Sequence, residues 1–313
     1  MKGMNLSRAY CERYAASLFA GGLEGLRQRC ALGLVGPGSE CLGFDDQISR
    51  DHDFGPGFCI WLEPADFAAF GAELQRRYDE LPREFMGYRR VSTPLSGKRT
   101  GVFDADEFRM RYTGLASAPS SSKEWLFIPQ QLLAEFTAGE IFSDPAGVMA
   151  RRRAPYLAFY PQAVVQKKVA AELAGMAQAG QYNLLRSLKR GETATAMLAA
   201  ARFSEQAVSM TFLLNKRYMP FYKWAHRGVE QLPILGREAA ACVTALAGLD
   251  WRLGPRVEAV AGDIVESLCR DVAGRLRSDG LSDADGDWLV EHGPSVQARI
   301  ETPELQRMSV MLE

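Results

Sequence analysis

The stretch Ala31-Leu32-Gly33-Leu34-Val35 runs straight into Gly36-Pro37-Gly38-Ser39, and eleven residues later the chain reads Asp51-His52-Asp53-Phe54. A short apolar run flanked by glycines reads as a buried strand that breaks into a turn. Glycine at a strand end lets the backbone approach a phosphate closely. Ser39 can offer its hydroxyl and amide to phosphate oxygens, and a helix starting there would aim its positive end at the anion. Two aspartates at i and i+2 on a strand share one face, where their oxygens suit hard divalent cations. A pair of such ions, about 4 Å apart, clamps the attacking and leaving oxygens of an in-line displacement. A lone D-x-D or G-S says little. The order, the spacing and the preceding strand together point to phosphate chemistry.

Outward from this stretch, the N-terminal half alternates helix and strand. A first helix is expected over about Leu6 to Gln28, with a weak point at Gly21-Gly22. Gly57-Phe58-Cys59-Ile60-Trp61-Leu62 reads as a second strand, and Pro64 opens a helix to about Leu81. Residues 88–109 read as further strand and loop. Ala116-Ser117-Ala118-Pro119-Ser120-Ser121-Ser122 is the most linker-like stretch, which predicts a boundary between a domain at 1–120 and another at 121–313. Beyond residue 123, long Ala- and Leu-rich windows with helical period dominate. The expected class is therefore α+β: a mixed sheet with flanking helices, followed by an all-α bundle. The terminal run Met308 to Leu312 is expected to dock back onto the body.

Composition narrows the function classes. The net charge is −1, so no global basic field draws the chain to nucleic acid or anionic lipid. The six cysteines include no C-x-x-C pair and only three histidines accompany them, which argues against a structural zinc site. The cysteines read as reduced core thiols in a cytoplasmic setting. No signal-peptide core is evident and no apolar window approaches 18 residues, so no membrane association is expected. Gly36-Pro37-Gly38 lacks the features of a Walker A loop and of a dinucleotide fingerprint.

Leu34 to Ser39 with Asp51 to Phe54 resembles the signature of the nucleotidyltransferase superfamily, the DNA polymerase β-like group. The longer segment Gly38 to Asp53 looks like one bacterial family within it, whose helical half carries segments like Asn215 to Trp224 and Gly180-Gln181-Tyr182-Asn183 with Arg186 and Arg190. The resemblance spans roughly residues 30–235. It implies Mg²⁺- or Mn²⁺-dependent transfer of NMP from an NTP, with ATP as the expected donor. The acceptor would be an unidentified hydroxyl, on a small molecule rather than a macromolecule. Gly38 and Ser39 would hold the triphosphate. By charge and position, Arg50 could contact phosphate or pair with Asp45 or Asp46, and Lys223 could reach the triphosphate from the helical half or simply flank core aromatics. Asp51 and Asp53 would bind the metal. A third carboxylate on a later strand is implied, and Asp104 fits best, with Asp106 and Glu107 as rivals. The sequence departs from the superfamily at His52, where an apolar residue is usual. The alternative is a nucleotide-binding regulator of the same fold with reduced turnover, which a missing third carboxylate would favour.

Blander readings accompany several residues. Asp45 and Asp46 read as turn residues on a solvated loop. Arg151-Arg152-Arg153 reads as a solvated face. Glu140 or Asp144 is a candidate general base. The Asp283 to Trp288 stretch fails the calcium-loop pattern, with Trp288 where glycine is required.

Overall fold

A computed structural model describes residues 1–51, 53–91 and 97–312; His52 lies outside the described residues. The class is α+β, with a small mixed four-stranded sheet in the N-terminal half and a helical C-terminal half. Helix α1 (Gly3–Leu18) packs Leu6, Tyr10 and Leu18 inward. It stops ten residues earlier than expected because Gly21 and Gly22 adopt φ of 70° and 101°, values that end a right-handed helix. A 3₁₀ turn, Glu24–Arg29, then leads into β1 (Cys30–Leu34), which is buried throughout. After α2 (Ser39–Leu42) the chain reaches β2 (Cys59–Leu62), also buried along its length. Helix α3 (Pro64–Asp79) starts on proline and buries Leu74 and Tyr78. A two-residue ribbon, β3 (Glu84–Phe85) with β4 (Tyr88–Arg89), precedes β5 (Gly101–Asp104) and α4 (Ala105–Thr113). Further along come α5 (Ser122–Phe127), α6 (Gln130–Thr137), β6 (Glu140–Ser143) and α7 (Val148–Leu157).

The sheet order is β5-β2-β1-β6. Strand β1 runs antiparallel to both β2 and β6, and β2 runs parallel to β5. Gly33 is needed where β6 crosses: a Cβ there would lie 2.4 Å from the Glu140 carbonyl oxygen. One face of the sheet shares a core with α1 and α3, built from Tyr10, Phe58, Ile60, Leu74, Tyr78 and Val102.

The chain forms two compact units, one of residues 1–119 with 131–158, the other of 120–130 with 159–313. The first segment of the first unit ends at Pro119, inside the linker-like stretch. However, residues 131–158 return to that unit, because β6 pairs with β1. The 1–120 boundary therefore omits a strand of the sheet. Within this returning segment Arg153 is buried and donates to the carbonyls of Phe136 and Ala138, capping the end of α6. Arg152 pairs with Glu63 at 2.6 Å and with Asp106 at 2.9 Å. Arg152 and Arg153 are thus internal scaffolding, while Arg151 keeps the exposed position expected of the run.

In the second unit α8 (Gln162–Met176) is buried over most of its surface. The chain continues as a π-helical stretch, Ala177–Leu184, then α9 (Leu185–Lys189) and α10 (Thr193–Leu214). Helices α11 (Tyr222–Val229), α12 (Gly236–Ala247), α13 (Glu258–Ser278), α14 (Leu289–Ala298) and α15 (Pro303–Gln306) complete it. Small residues let α8 and the π-helical stretch approach α10: a Cβ on Gly175 would meet Gln206 at 1.7 Å, and one on Gly180 would meet Phe203 at 2.3 Å. The Gln181 amide donates to Glu266 (2.7 Å) and accepts from the Leu289 N–H (2.9 Å). The tail docks as expected. The buried Lys167 ammonium donates to the Val310 and Leu312 carbonyls, and Gln297 to that of Met308. Among the described residues no helix is long and apolar enough to cross a membrane.

Candidate phosphate and metal site

The strand register decides which residues meet. Gly33 of β1 faces Cys59 of β2, and Cys59 faces Gly101 of β5. The exit of β1 therefore lies at the same sheet end as the entries of β2 and β5. Gly36 to Ser39 leave β1 there, and Asp51 to Gly57 lead into β2 there. At the far end Leu62 faces Asp104. Gly101 and Asp104 are three residue steps apart, about 10 Å at roughly 3.3 Å per residue.

Asp104 is consequently not with the other candidates. It is buried at the end of β5, and its Oδ1 accepts the N–H groups of Asp106 (2.8 Å) and Glu107 (3.0 Å). It caps α4, a role that an aspartate before a helix commonly fills. The structure thus places Asp104 as a helix cap at the far sheet end, not beside Asp51 and Asp53. Asp106 and Glu107 follow it into α4, and Asp106 is held by Arg152 and Arg109.

The aspartate pair also departs from the expected strand. Asp51 closes a 3₁₀ turn (Ile48–Arg50) at φ −71° and is exposed, while Asp53 sits at φ 51° and is half-buried. Strand alternation does not apply to them, because Gly55 (φ 126°) and Pro56 bend the chain before β2 begins at Cys59. The two carboxylates belong to a turn at the sheet end.

Gly38 precedes α2 with an extended backbone, φ −66° and ψ 144°. A Cβ at Gly38 would fall 2.0 Å from Arg99 Nη2 and 2.4 Å from the Glu40 carboxyl. That crowding identifies a pair which motif reading alone missed. Arg99, just before β5, binds Glu40 Oε1 through Nη2 at 2.7 Å and donates from Nη1 to the Asp53 carbonyl. Burial pulls the Arg99 pKa down, and Glu40 with the neighbouring groups more than offsets it, so the net shift is upward. A cavity of about 260 Å³ opens here, with Leu34, Glu40, Asp53, Gly57, Arg99 and Thr100 in its wall. The sequence signal for the pair was slight: an acid directly after Gly38-Ser39 and a cation two residues before a strand.

The remaining candidates divide. Ser39 is half-buried at the start of α2, its carbonyl accepting the Phe44 N–H at 2.9 Å. Arg50 lies over the Phe54 and Tyr88 rings (5.6 and 5.4 Å) and donates to the Met1 carbonyl at 3.4 Å. Asp45 is buried, contrary to expectation. Its Oδ2 accepts the Gly3 N–H at 2.9 Å and its Oδ1 lies 3.4 Å from the Lys2 ammonium, so it satisfies an open donor at the start of α1. Asp46 behaves as a turn residue, accepting from Ser49 N–H and Oγ. Glu140 pairs with Arg8, and Asp144 accepts the N–H groups of Val148, Met149 and Ala150 as the cap of α7. Lys223 belongs to the second unit, exposed on α11, with its ammonium 5.2 Å from the Trp224 ring centre.

Among the described residues no three His, Cys, Asp or Glu side chains gather to hold a metal ion. Mg²⁺ is commonly bound through one or two carboxylates plus substrate phosphates, and Asp51 with Asp53 supply donors of that kind.

Neither a curated protein nor a solved structure matches the chain. Residues 125–225, less than half of the chain, match a domain of unknown function, DUF4037. That span contains Gln181, Arg186 and Lys223 and stops short of the Gly38 and Asp51 segments.

Proposed function

We propose that the first unit binds the triphosphate of an NTP, with ATP the expected donor, and transfers NMP to an acceptor hydroxyl. The observation that carries this reading is the register: the Gly36–Ser39 loop and the Asp51–Asp53 turn come to one end of a mixed sheet. The order α1, β1, α2, β2, α3, β5, α4, with this small flanked sheet, is compatible with a nucleotidyltransferase fold. Gly38 and Ser39 face the phosphates in this reading, and Asp51 and Asp53 hold Mg²⁺, which supplies charge neutralisation at the transferring phosphoryl group. At about 260 Å³ the cavity is below the usual range for a whole ligand, and Asp53, Glu40 and Arg99 line it beside the loop.

One observation favours a second reading, nucleotide binding without efficient turnover. Asp104 caps a helix at the opposite sheet end and leaves the metal site two carboxylates.

Calorimetric titration of ATP and then the other NTPs, with and without Mg²⁺, tests both. The wild type is compared with an Asp51→Ala/Asp53→Ala double variant. Mg²⁺-dependent binding that vanishes in the variant is the expected result. Absence of binding for every NTP sinks both readings. Binding without pyrophosphate release across a panel of hydroxyl acceptors selects the second.

A further inference from the structure

We propose that Arg99 is a positioning residue that couples the phosphate loop to the aspartate turn, so that triphosphate and metal bind cooperatively; this rests on the nucleotide reading above. Arg99 comes from neither half of the signature, yet its guanidinium touches both. One arm holds Glu40, two residues beyond Gly38, and packs where a Gly38 side chain would be. The other arm donates to the carbonyl of Asp53.

Asp53 has φ 51°, a conformation that a non-glycine residue keeps only when its surroundings impose it. The Arg99 bond to its carbonyl is such a constraint. The Arg99 and Glu40 side chains are 18% and 10% exposed, so the pair is largely shielded and its geometry matters more than that of a surface pair. Arg99 Nε is buried with no hydrogen-bond partner among the described residues, which leaves one donor of the fork unused. An anion settling on the loop at Gly38 would pull on the same guanidinium that fixes the Asp53 turn. Loop occupancy and turn geometry are therefore linked through one rigid planar group. A lysine ammonium, a compact point charge, cannot bridge both acceptors in that fixed fork geometry.

The test is ATP affinity by calorimetry, in Mg²⁺ and in EDTA, for the wild type, Arg99→Lys and Glu40→Gln, with thermal melts alongside. In the wild type Mg²⁺ is expected to raise ATP affinity by about tenfold or more, within the usual range of coupling between sites. In Arg99→Lys that gain falls below about threefold, while metal-free affinity stays within about threefold of the wild type. Glu40→Gln moves in the same direction. Simple structural damage would instead lower both affinities and the melting temperature together. A folded Arg99→Lys variant that keeps the full Mg²⁺ gain overturns the coupling. Should that variant not fold, Glu40→Gln keeping the full gain overturns it equally. Failure of the wild type to bind ATP in either buffer strikes the nucleotide reading itself, whereas an undiminished gain in the variants strikes only the role of Arg99.

Discussion

Replacing Asp104 separates a helix cap from a metal ligand. Its Oδ1 accepts two N–H groups at the start of α4, a nine-residue helix, from a largely buried position. Alanine removes both acceptor contacts, and loss of an N-cap costs about 0.5–2 kcal/mol. The buried setting places this case toward the upper part of that range. A domain of this size shifts by about 2–4 °C per kcal/mol, so Asp104→Ala should lower the first unit's transition by about 2–8 °C. Asparagine keeps the Oδ1 acceptor and loses only the charge near the helix N-terminus, about 0.3–1 kcal/mol. Asp104→Asn should therefore melt within about 4 °C of the wild type. Both variants should bind Mg²⁺-ATP as the wild type does. Scanning calorimetry gives the first quantity and titration calorimetry the second. If Asp104→Asn melts normally but loses Mg²⁺-dependent nucleotide binding, the cap assignment fails and the carboxylate belongs to the metal site after all.

Gly33→Ala would press a methyl group against the Glu140 carbonyl oxygen at 2.4 Å and Ile141 Cα at 3.0 Å. Because these are backbone atoms, a loss of about 3 kcal/mol is expected in urea unfolding, and a loss under about 0.5 kcal/mol would contradict the β1–β6 register. Hydrogen bonds from Arg152 hold the Glu63 and Asp106 carboxyls below their usual range. Their folded pKa values lie below the unfolded ones, so this stabilisation is present above about pH 4.5 and fades as the pH falls through the lowered values. Arg152→Met should then destabilise at pH 7 by about 1–2 kcal/mol, discounted for partial exposure, and flatten the acid limb of the stability profile; an unchanged acid limb would refute the linkage. Burial pushes the thiols of Cys11, Cys30, Cys59 and Cys242 up to about 12. Native protein should therefore resist a thiol-disulfide reagent at pH 8 and react fully only when unfolded, and rapid labelling of these four would be inconsistent with the packing.

What could be read beforehand was local. The apolar run at 31–35 became β1 with a one-residue shift, Pro64 did open α3, and the tail from Met308 docks. What escaped was set by distance along the chain. The pairing of β6 with β1 joins segments more than a hundred residues apart, and Glu140 to Ser143 are only partly buried or exposed, so their apolar pattern is too weak to announce a strand. The same holds for Glu40 and Arg99, 59 positions apart. The expected strand at Asp51 and Asp53 is missing for a different reason. A period of two is valid only inside a strand, and the bend at Gly55-Pro56-Gly57 delays the strand to Cys59. Asp45 departs from a solvated loop because a turn residue with polar neighbours gives no hint that the start of α1 will seek its carboxylate.

The return of the chain at β6 bears on how the protein is made. During synthesis β1 gains its first neighbour when residue 62 has emerged, but its other flank waits until residue 143. Over that interval an entirely apolar strand presents open N–H and C=O groups on one side, the condition under which nascent chains join one another. A chain stopped at residue 120 would stay in that state indefinitely, so the first unit is complete only as part of a polypeptide that has passed through the 120–130 segment and come back.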